Sequence, residues 1–154
     1  MNRILIFGNS GSGKSTLAGK IANENNLPNL DLDMLTWERP GVRKEFQTTL
    51  AEVNDFVESN KEWVIEGCYG SLIQALTAFC TELHFLNPGI EACLKNNLSR
   101  PWEPHKYESE QAQNKNLEML QSWVKDYETR EDEYSLSYHR KIFDDFEGHK
   151  KEYT

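Results

Sequence analysis

The sequence predicts an α/β fold built as a three-layer sandwich, in which helices cover both faces of a parallel sheet of about five strands. Short apolar runs alternate with segments of helical periodicity between Met1 and Arg100. This alternation is typical of parallel sheets, because each parallel connection needs a crossover, which is usually a helix. The chain has 154 residues, so we expect residues 1–154 to form one domain.

The first predicted elements are a strand, a glycine-rich turn, a helix and a second strand. "RILIF" (3–7) is an apolar, β-branched and aromatic run that ends at a glycine, and "KSTLAGKIANEN" (14–25) spaces its apolar residues helically. "NLDLDML" (29–35) alternates apolar and acidic residues. We therefore expect a second short strand that ends near Asp33.

The alternation of helices and strands continues up to Arg100. Ser71 is the expected N-cap of a short helix, and Asn87 or Pro88 is expected in the opening turn of the next helix. Helices are predicted at 43–60, 71–79 and 87–100, and strands at 62–67 and 82–87.

The chain after Arg100 is long, polar and acidic, and its character differs from that of the preceding residues. One amphipathic helix is predicted there, carrying Leu117, Leu120 and Val124. The C-terminal residues predict a further helix that stops at Gly148, followed by a last short strand.

Composition and charge argue against several classes of function. The net charge of −8 opposes a broad nucleic-acid surface, since that affinity comes largely from clustered basic residues. The longest apolar runs are too short to cross a bilayer, and the N-terminus lacks the apolar region of a signal peptide. Three widely spaced cysteines predict no disulfide framework. We expect a cytoplasmic protein without a membrane partner.

The stretch "GNSGSGKS" has the G-x-x-x-x-G-K-S spacing of a phosphate-binding loop. Its glycines let consecutive backbone N–H groups face an anion, and the following helix N-terminus adds partial positive charge. Lys14 can reach the β and γ phosphates, while the Ser15 hydroxyl can bind Mg²⁺. The sequence therefore predicts ATP and Mg²⁺ as cofactors, bound by Gly8, Asn9, Ser10, Gly11, Ser12, Gly13, Lys14, Ser15 and Thr16.

Motifs between Met1 and Arg100 resemble the adenylate kinase and shikimate kinase branch of the P-loop kinases. The stretches that carry the resemblance are "ILIFGNSGSGKSTLA", "LDMLTW", "WVIEGCYGSLI" and "LHFLN". The nearest subgroup is that of the bacterial ATPases or kinases labelled DNA topology modulation protein-like. The resemblance implies a parallel core of about five strands, binding of MgATP, and a lid over the phosphates. On this chain the helical lid-like insertion would span about 100–134.

Acidic residues at the ends of two predicted strands are the candidates for metal and acceptor chemistry. Asp33 follows Lys14 by 19 residues and should lie at the carboxyl edge of the sheet, where such folds bind ligands. The resemblance implies that Asp31 serves the metal and that Asp33 orients or deprotonates an acceptor hydroxyl. Glu66 could hold a water bound to Mg²⁺, and Gly67 could let substrate approach the backbone. The alternative for the two aspartates is that they are solvated or cap a turn. For Glu66 it is a strand-end carboxylate paired with a nearby base.

Three arginines are candidates for stabilising a transferring phosphoryl group or binding its acceptor. By the resemblance, Arg43 opens the helix where related kinases bind the acceptor, Arg100 begins the lid, and Arg130 closes its far side. The alternative for each is a solvated surface arginine. The stretch "RPWEPHKY" (100–107), which begins at Arg100, could clamp a substrate with its aromatic residues or form an apolar plug under the lid.

The motifs favour an ATP-dependent phosphotransferase whose acceptor is a small molecule or a nucleotide. Neither adenylate kinase nor shikimate kinase activity is assigned, because the pocket signatures of those enzymes are absent. A nucleotide-binding regulatory module or a slow ATPase is the alternative, since it would keep the loop without an acceptor site. A nucleic-acid-associated ATPase is suggested by the subgroup's label alone.

Overall fold

The computed structural model describes residues 1–39 and 42–154. A parallel five-stranded sheet forms its centre, and helices flank it on both faces. The strands of this part of the chain are β1 (Arg3–Gly8), β2 (Asn29–Asp31), β3 (Trp37–Arg39), β4 (Val42–Arg43), β5 (Trp63–Gly67), β6 (Glu82–Leu86) and β7 (His149–Tyr153). Its helices are α1 (Lys14–Asn25), α2 (Asp33–Thr36), α3 (Phe46–Ser59), α4 (Gly70–Leu76), α5 (Ile90–Leu98), α6 (Glu110–Lys125) and α7 (Leu136–Asp145).

The strand order in the main sheet is β2-β5-β1-β6-β7, and every neighbouring pair is parallel. The predicted α/β class with about five parallel strands is therefore confirmed. β1 and β5 lie inside the sheet and have continuous apolar runs, as expected of strands that are covered on both faces. This order places the carboxyl ends of β1, β2 and β5 side by side.

Alternate residues of the central strands build two separate cores, one on each face of the sheet. Leu5 and Phe7 face a large cluster that includes Val53, Leu72 and Ile142, contributed by α3, α4 and α7. The intervening positions Ile4 and Ile6 pack instead on Ala18 and Ala22 of α1. This alternation follows from the two-residue period of a strand and gives the layered arrangement that the sequence predicts.

Asp31 and Asp33 are placed differently from the prediction. β2 ends at Asp31, and Asp33 begins the single-turn helix α2 instead of ending a strand. The physical reason is local: Asp31 Oδ1 accepts a hydrogen bond of 2.9 Å from the Asp33 N–H, and this side-chain bond favours a turn over extended backbone.

Arg43 does not open a helix, so this prediction is wrong. Arg43 lies in β4, which pairs with Trp37–Arg39 in a small antiparallel hairpin. The N–H of Lys44 donates to the Thr36 carbonyl at 2.9 Å, and α3 begins only at Phe46. Because β4 pairs with β3, α3 begins later in the chain than predicted.

Two other predicted helix starts are also shifted. α4 begins at Gly70, so Ser71 is not its N-cap, and the Ser71 hydroxyl donates to Glu133 Oε1 at 2.8 Å. α5 begins at Ile90 rather than at Asn87 or Pro88. Asn87 stays extended because its N–H donates to the Tyr153 carbonyl at 2.7 Å, which prolongs the pairing of β6 with β7.

The elements after Arg100 follow the predicted order. α6 carries the predicted amphipathic segment, and the Ser109 hydroxyl caps it by accepting from the Ala112 N–H at 3.0 Å. β7 follows α7 and adds the fifth parallel strand to the sheet. None of the helices in 1–39 and 42–154 combines the length and apolar character that crossing a bilayer requires.

Candidate phosphate-binding site

The glycine-rich loop lies between β1 and α1, and its conformation requires glycine. Gly11 has φ +83°, and a Cβ there would lie 2.4 Å from the Cys93 carbonyl oxygen. Gly13, with φ +97°, is the residue before the first turn of α1. Positive φ values and close backbone contacts are permitted to glycine alone at little cost. The loop can therefore curl around an anion at the N-terminus of α1.

Hydrogen bonds to α5 and α6 hold the loop in this shape. Asn96 Nδ2, on α5, donates to the Gly11 carbonyl at 2.8 Å, and Asn9 Nδ2 donates to the Val124 carbonyl of α6 at 3.4 Å. The Ser12 hydroxyl is buried and has no hydrogen-bond partner in the part of the chain that the structure describes. A buried unpaired hydroxyl inside such a loop fits a phosphate oxygen.

Lys14 and Ser15 occupy the positions that the phosphate loop motif needs. Lys14 Nζ donates to the Asn9 carbonyl at 2.7 Å, so the lysine lies across its own loop. The Ser15 hydroxyl donates to Glu66 Oε1 at 2.8 Å, which joins the loop to the end of β5. Ser15 and Thr16 are exposed at the mouth of the loop.

Glu66 and Asp31 lie at paired positions of β5 and β2. Burial and the nearby Asp31 carboxylate raise the pKa of Glu66 to about 7, although Lys14 and the Ser15 hydroxyl act in the opposite direction. No group of three or more His, Cys, Asp or Glu side chains among the described residues could hold a metal alone. Mg²⁺ commonly binds to one or two carboxylates together with water and substrate phosphates. Ser15, Asp31 and Glu66 fit that second pattern.

Asp33 is held by an aromatic side chain from the end of β5. The Tyr69 hydroxyl donates to Asp33 Oδ1 and in turn accepts from the Trp37 indole N–H at 3.1 Å. Burial alone would raise the pKa of Asp33, but the charge of Lys106 and its hydrogen bond, with help from Tyr69, lower it below its ordinary value. Asp33 is therefore an ionised acceptor with one oxygen assigned to Tyr69.

A lysine from the segment after α5 lies between the two aspartates. Lys106 Nζ lies 2.8 Å from Asp33 Oδ2, 3.2 Å from Asp31 Oδ2 and 3.4 Å from Glu103 Oε2. Only 17% of its side chain is exposed. Burial would lower the pKa of Lys106, yet Asp33 and Asp31 raise it above its ordinary value, so the lysine is charged.

Comparison of the sequence with protein-family models and with curated proteins gave no match. Among solved structures, an unliganded sugar kinase from a Janibacter species matches with a TM-score of 0.57 at 16% identity, over 99% of this chain and 85% of that one. This chain has the P-loop kinase fold. At this identity the likeness establishes the fold alone.

Two further solved structures of kinases are similar at lower TM-scores. A gluconokinase from Sinorhizobium meliloti matches with a TM-score of 0.49 at 20% identity, over 77% of this chain and 74% of that one. A shikimate kinase from Acinetobacter baumannii, in complex with shikimate, matches with a TM-score of 0.49 at 20% identity, over 92% and 90%.

The three candidate arginines of this kinase fold differ in their surroundings. Arg43 lies over the rings of Tyr69 and Tyr134, 5.2 and 5.5 Å from their centroids, and donates to the Tyr134 hydroxyl. Arg43 thus packs against Tyr69, whose hydroxyl donates to Asp33. Arg100 pairs instead with Glu103 of its own segment at 3.5 Å.

Arg130 is mostly buried and stacks on the Trp123 ring of α6 at 4.0 Å. Its Nε lies 3.3 Å from Asp132 Oδ1, but neither Nε nor Nη2 makes a hydrogen bond with the residues described here. Buried guanidinium N–H groups normally have acceptors, so Arg130 has donor capacity for an anionic ligand. This distinguishes Arg130 from Arg100.

Gly67 has a packing role in the structure. A Cβ on Gly67 would lie 2.9 Å from side-chain atoms of Leu32, so the space beside this glycine is filled by the protein itself. Gly67 allows β5 and the start of α2 to pack closely. The approach of substrate to the Gly67 backbone stays a prediction.

Sequence reasoning missed Lys106, Tyr69 and Trp37. Lys106 lies in "RPWEPHKY", where the aromatic residues were the obvious signal, although Trp102 and His105 are both largely exposed. Tyr69 follows the Glu66-Gly67 strand end directly, and that position was a usable signal. Trp37 ends the quoted stretch "LDMLTW", but no role was predicted for it.

Proposed function

We propose that this protein is an ATP-dependent phosphotransferase that acts on a hydroxyl-bearing small molecule or nucleotide. The observation that carries the proposal is the meeting of two groups at one edge of the sheet. Ser15 of the phosphate loop donates to Glu66 at 2.8 Å, and Asp31 lies at the strand position paired with Glu66. Open α/β folds bind their ligands at this edge.

The loop residues 8–16 would bind the ATP phosphates through backbone N–H groups. Lys14 would then donate to a phosphate oxygen in place of the Asn9 carbonyl. Ser15, Asp31 and Glu66 would hold Mg²⁺ and its waters. When bound, Mg²⁺ neutralises charge on the transferring phosphoryl group. Arg130 would supply a second cation, because two of its buried guanidinium nitrogens make no hydrogen bond with the described residues.

Asp33 would orient the acceptor hydroxyl and accept its proton. Tyr69 engages Oδ1, so Oδ2 is the oxygen that faces an incoming hydroxyl. Arg43 and Tyr134 lie next to Tyr69 and would form part of the acceptor pocket. The geometry supports a hydroxyl acceptor and leaves its chemical identity to experiment.

The test is a panel of nucleosides, nucleotides, sugars and hydroxy acids assayed for ADP release with MgATP. Acceptor-dependent ADP release is expected, and it should fall by a factor of roughly 100 or more in Lys14→Ala, because the lysine positions the transferring phosphate. Lys20→Ala is the matched control, since Lys20 is an exposed lysine of the same helix α1.

The same assay separates the alternatives. ADP release that needs no acceptor would favour a slow ATPase, and stimulation by DNA would favour a nucleic-acid-associated ATPase. If a folded Lys14→Ala variant kept full turnover, the assignment of the loop would be wrong.

A further inference from the structure

Lys106 is a buried cation placed between acids to which the proposed function gives other roles. Its Nζ contacts Oδ2 of both Asp33 and Asp31, at 2.8 and 3.2 Å. Asp31 Oδ2 is an oxygen suited to a metal ion, and Asp33 Oδ2 is the oxygen that Tyr69 leaves available to an acceptor. In the structure, the Lys106 ammonium group thus contacts both of these oxygens.

The segment that carries Lys106 is hydrogen-bonded to α6 on one side, and on the other side Lys106 contacts the edge of the sheet. Glu103 donates its N–H to Gln113 Oε1 at 2.8 Å, and Gln113 Nε2 donates to the Pro101 carbonyl at 3.0 Å. The Tyr107 hydroxyl accepts from Asn116 at 2.9 Å. These bonds tie residues 101–107, the 101–107 loop, to α6, while Lys106 ties the loop to β2 and α2.

We propose that Lys106 is a built-in counter-cation that holds the 101–107 loop on the unliganded site and is displaced when Mg²⁺ arrives with the nucleotide. The proposal rests on the proposed function, because it assigns the metal to Asp31. A lysine ammonium and Mg²⁺ against the same carboxylate oxygen repel each other, so binding of the ion weakens the contact of the lysine. The divalent ion has the stronger attraction for a carboxylate, and phosphate oxygens add to its binding.

Displacement would have two consequences at once. It would release the 101–107 loop from the sheet edge, and it would uncover Asp33 Oδ2 for the acceptor hydroxyl. Metal binding would thus be coupled to the opening of the acceptor position, so that the acceptor competes with Lys106 until MgATP is in place.

The first readout is amide hydrogen exchange of the 101–107 loop, measured with ADP in EDTA and with ADP and Mg²⁺. In the wild-type protein, Mg²⁺ should raise the exchange of these amides severalfold. Lys106→Met keeps the apolar stem and removes the charge, so its loop should exchange rapidly in both conditions. Lys106→Arg keeps a cation and should behave like wild type. Lys115→Met, at an exposed lysine of α6, is the matched control.

The second readout is the affinity for Mn²⁺, followed by electron paramagnetic resonance with and without ADP. Lys106→Met should bind Mn²⁺ roughly tenfold more tightly than wild type, because the competing cation is gone. The metal-alone arm needs neither nucleotide nor turnover, so it can succeed even if no acceptor is ever phosphorylated.

Three outcomes would overturn the proposal. Exchange of the loop that stays constant or falls on addition of Mg²⁺ would show that the metal does not release it. An Mn²⁺ affinity that is unchanged in Lys106→Met would show that the lysine does not compete. Weaker binding of MgADP in that variant would instead make Lys106 a ligand of the phosphates.

Discussion

Asp33 shows how neighbouring side chains fix the orientation and the charge of one carboxylate. Tyr69 fixes Oδ1, and Trp37 in turn fixes Tyr69, so the carboxylate can rotate little. Lys106 keeps the pKa of Asp33 below its ordinary value, against the effect of burial. Lys106 thus keeps Asp33 ionised, and an ionised carboxylate can accept a hydrogen bond or a proton.

The prediction at this residue concerns Asp33→Asn, which keeps the size and removes the charge. Affinity for MgADP, measured by calorimetry, should change little, while acceptor-dependent transfer should fall by roughly 10²- to 10⁴-fold, the usual effect of losing a general base. Asp55→Asn, at an exposed aspartate of α3, is the control. A large loss of MgADP affinity would make Asp33 a metal ligand, and unchanged transfer would exclude the proton-transfer role.

At the scale of elements, features fixed by neighbouring residues were predictable and long-range placements were not. β1, the phosphate loop and α1 followed from one continuous stretch, because glycine spacing and periodicity are local properties. Arg43 was misplaced because its strand pairs with Trp37–Arg39. Lys106 could not be located at all, since its partners Asp31 and Asp33 precede it by more than 70 residues.

The loop provides a prediction that contrasts two glycines close in sequence. Gly11→Ala would force a side chain into positive φ and against the Cys93 carbonyl, so we expect a destabilisation of about 2 kcal/mol and a clear loss of ADP affinity. Gly19 lies within α1, and a Cβ there would have no atom within 4 Å. Gly19→Ala should stabilise the protein by about 0.5–1 kcal/mol and leave ADP affinity unchanged.

Urea unfolding and calorimetry with ADP measure both effects. Equal stability of the two variants would contradict the loop geometry. A Gly11→Ala protein that bound ADP as tightly as wild type would show that the loop tolerates a different shape while binding phosphate.

At the scale of the whole molecule, the packing of α7 connects the core to the site. His139 is fully buried, and its Nε2 lies 3.0 Å from the Cys68 carbonyl, just beyond Glu66 and Gly67. Its Nδ1 lies 2.8 Å from the Tyr127 hydroxyl. A neutral imidazole satisfies both contacts, with Nε2–H donating to the carbonyl and Nδ1 accepting from the tyrosine. Protonation of Nδ1 would reverse the second bond, so that Nδ1–H donates to the tyrosine oxygen, and it would place a charge in the buried core.

The pH dependence of global stability follows from this arrangement. Burial, assisted by the charges of Lys14 and Arg130, lowers the pKa of His139 from 6.5 to about 4, although the Cys68 carbonyl opposes the shift. Because the folded pKa lies below the unfolded one, the unfolded chain binds the extra proton first. The stabilisation is complete above about pH 6.5 and is lost as the pH falls towards 4, by at most about 3 kcal/mol.

The measurement is urea unfolding at about pH 7.5, 6 and 5 for wild type and His139→Gln. The glutamine can keep one donor and one acceptor but does not titrate, so its free energy of unfolding should fall less steeply below pH 6.5 than that of wild type. His149→Gln is the control, because 76% of the His149 side chain is exposed, and it should follow the wild-type slope. Contributions from carboxylates are common to all three proteins and cancel in the comparison. Equal pH dependence of the free energy of unfolding in wild type and His139→Gln would show that protonation of His139 does not destabilise the folded core. The expected dependence of stability on a neutral His139 between α7 and Cys68 would then be wrong.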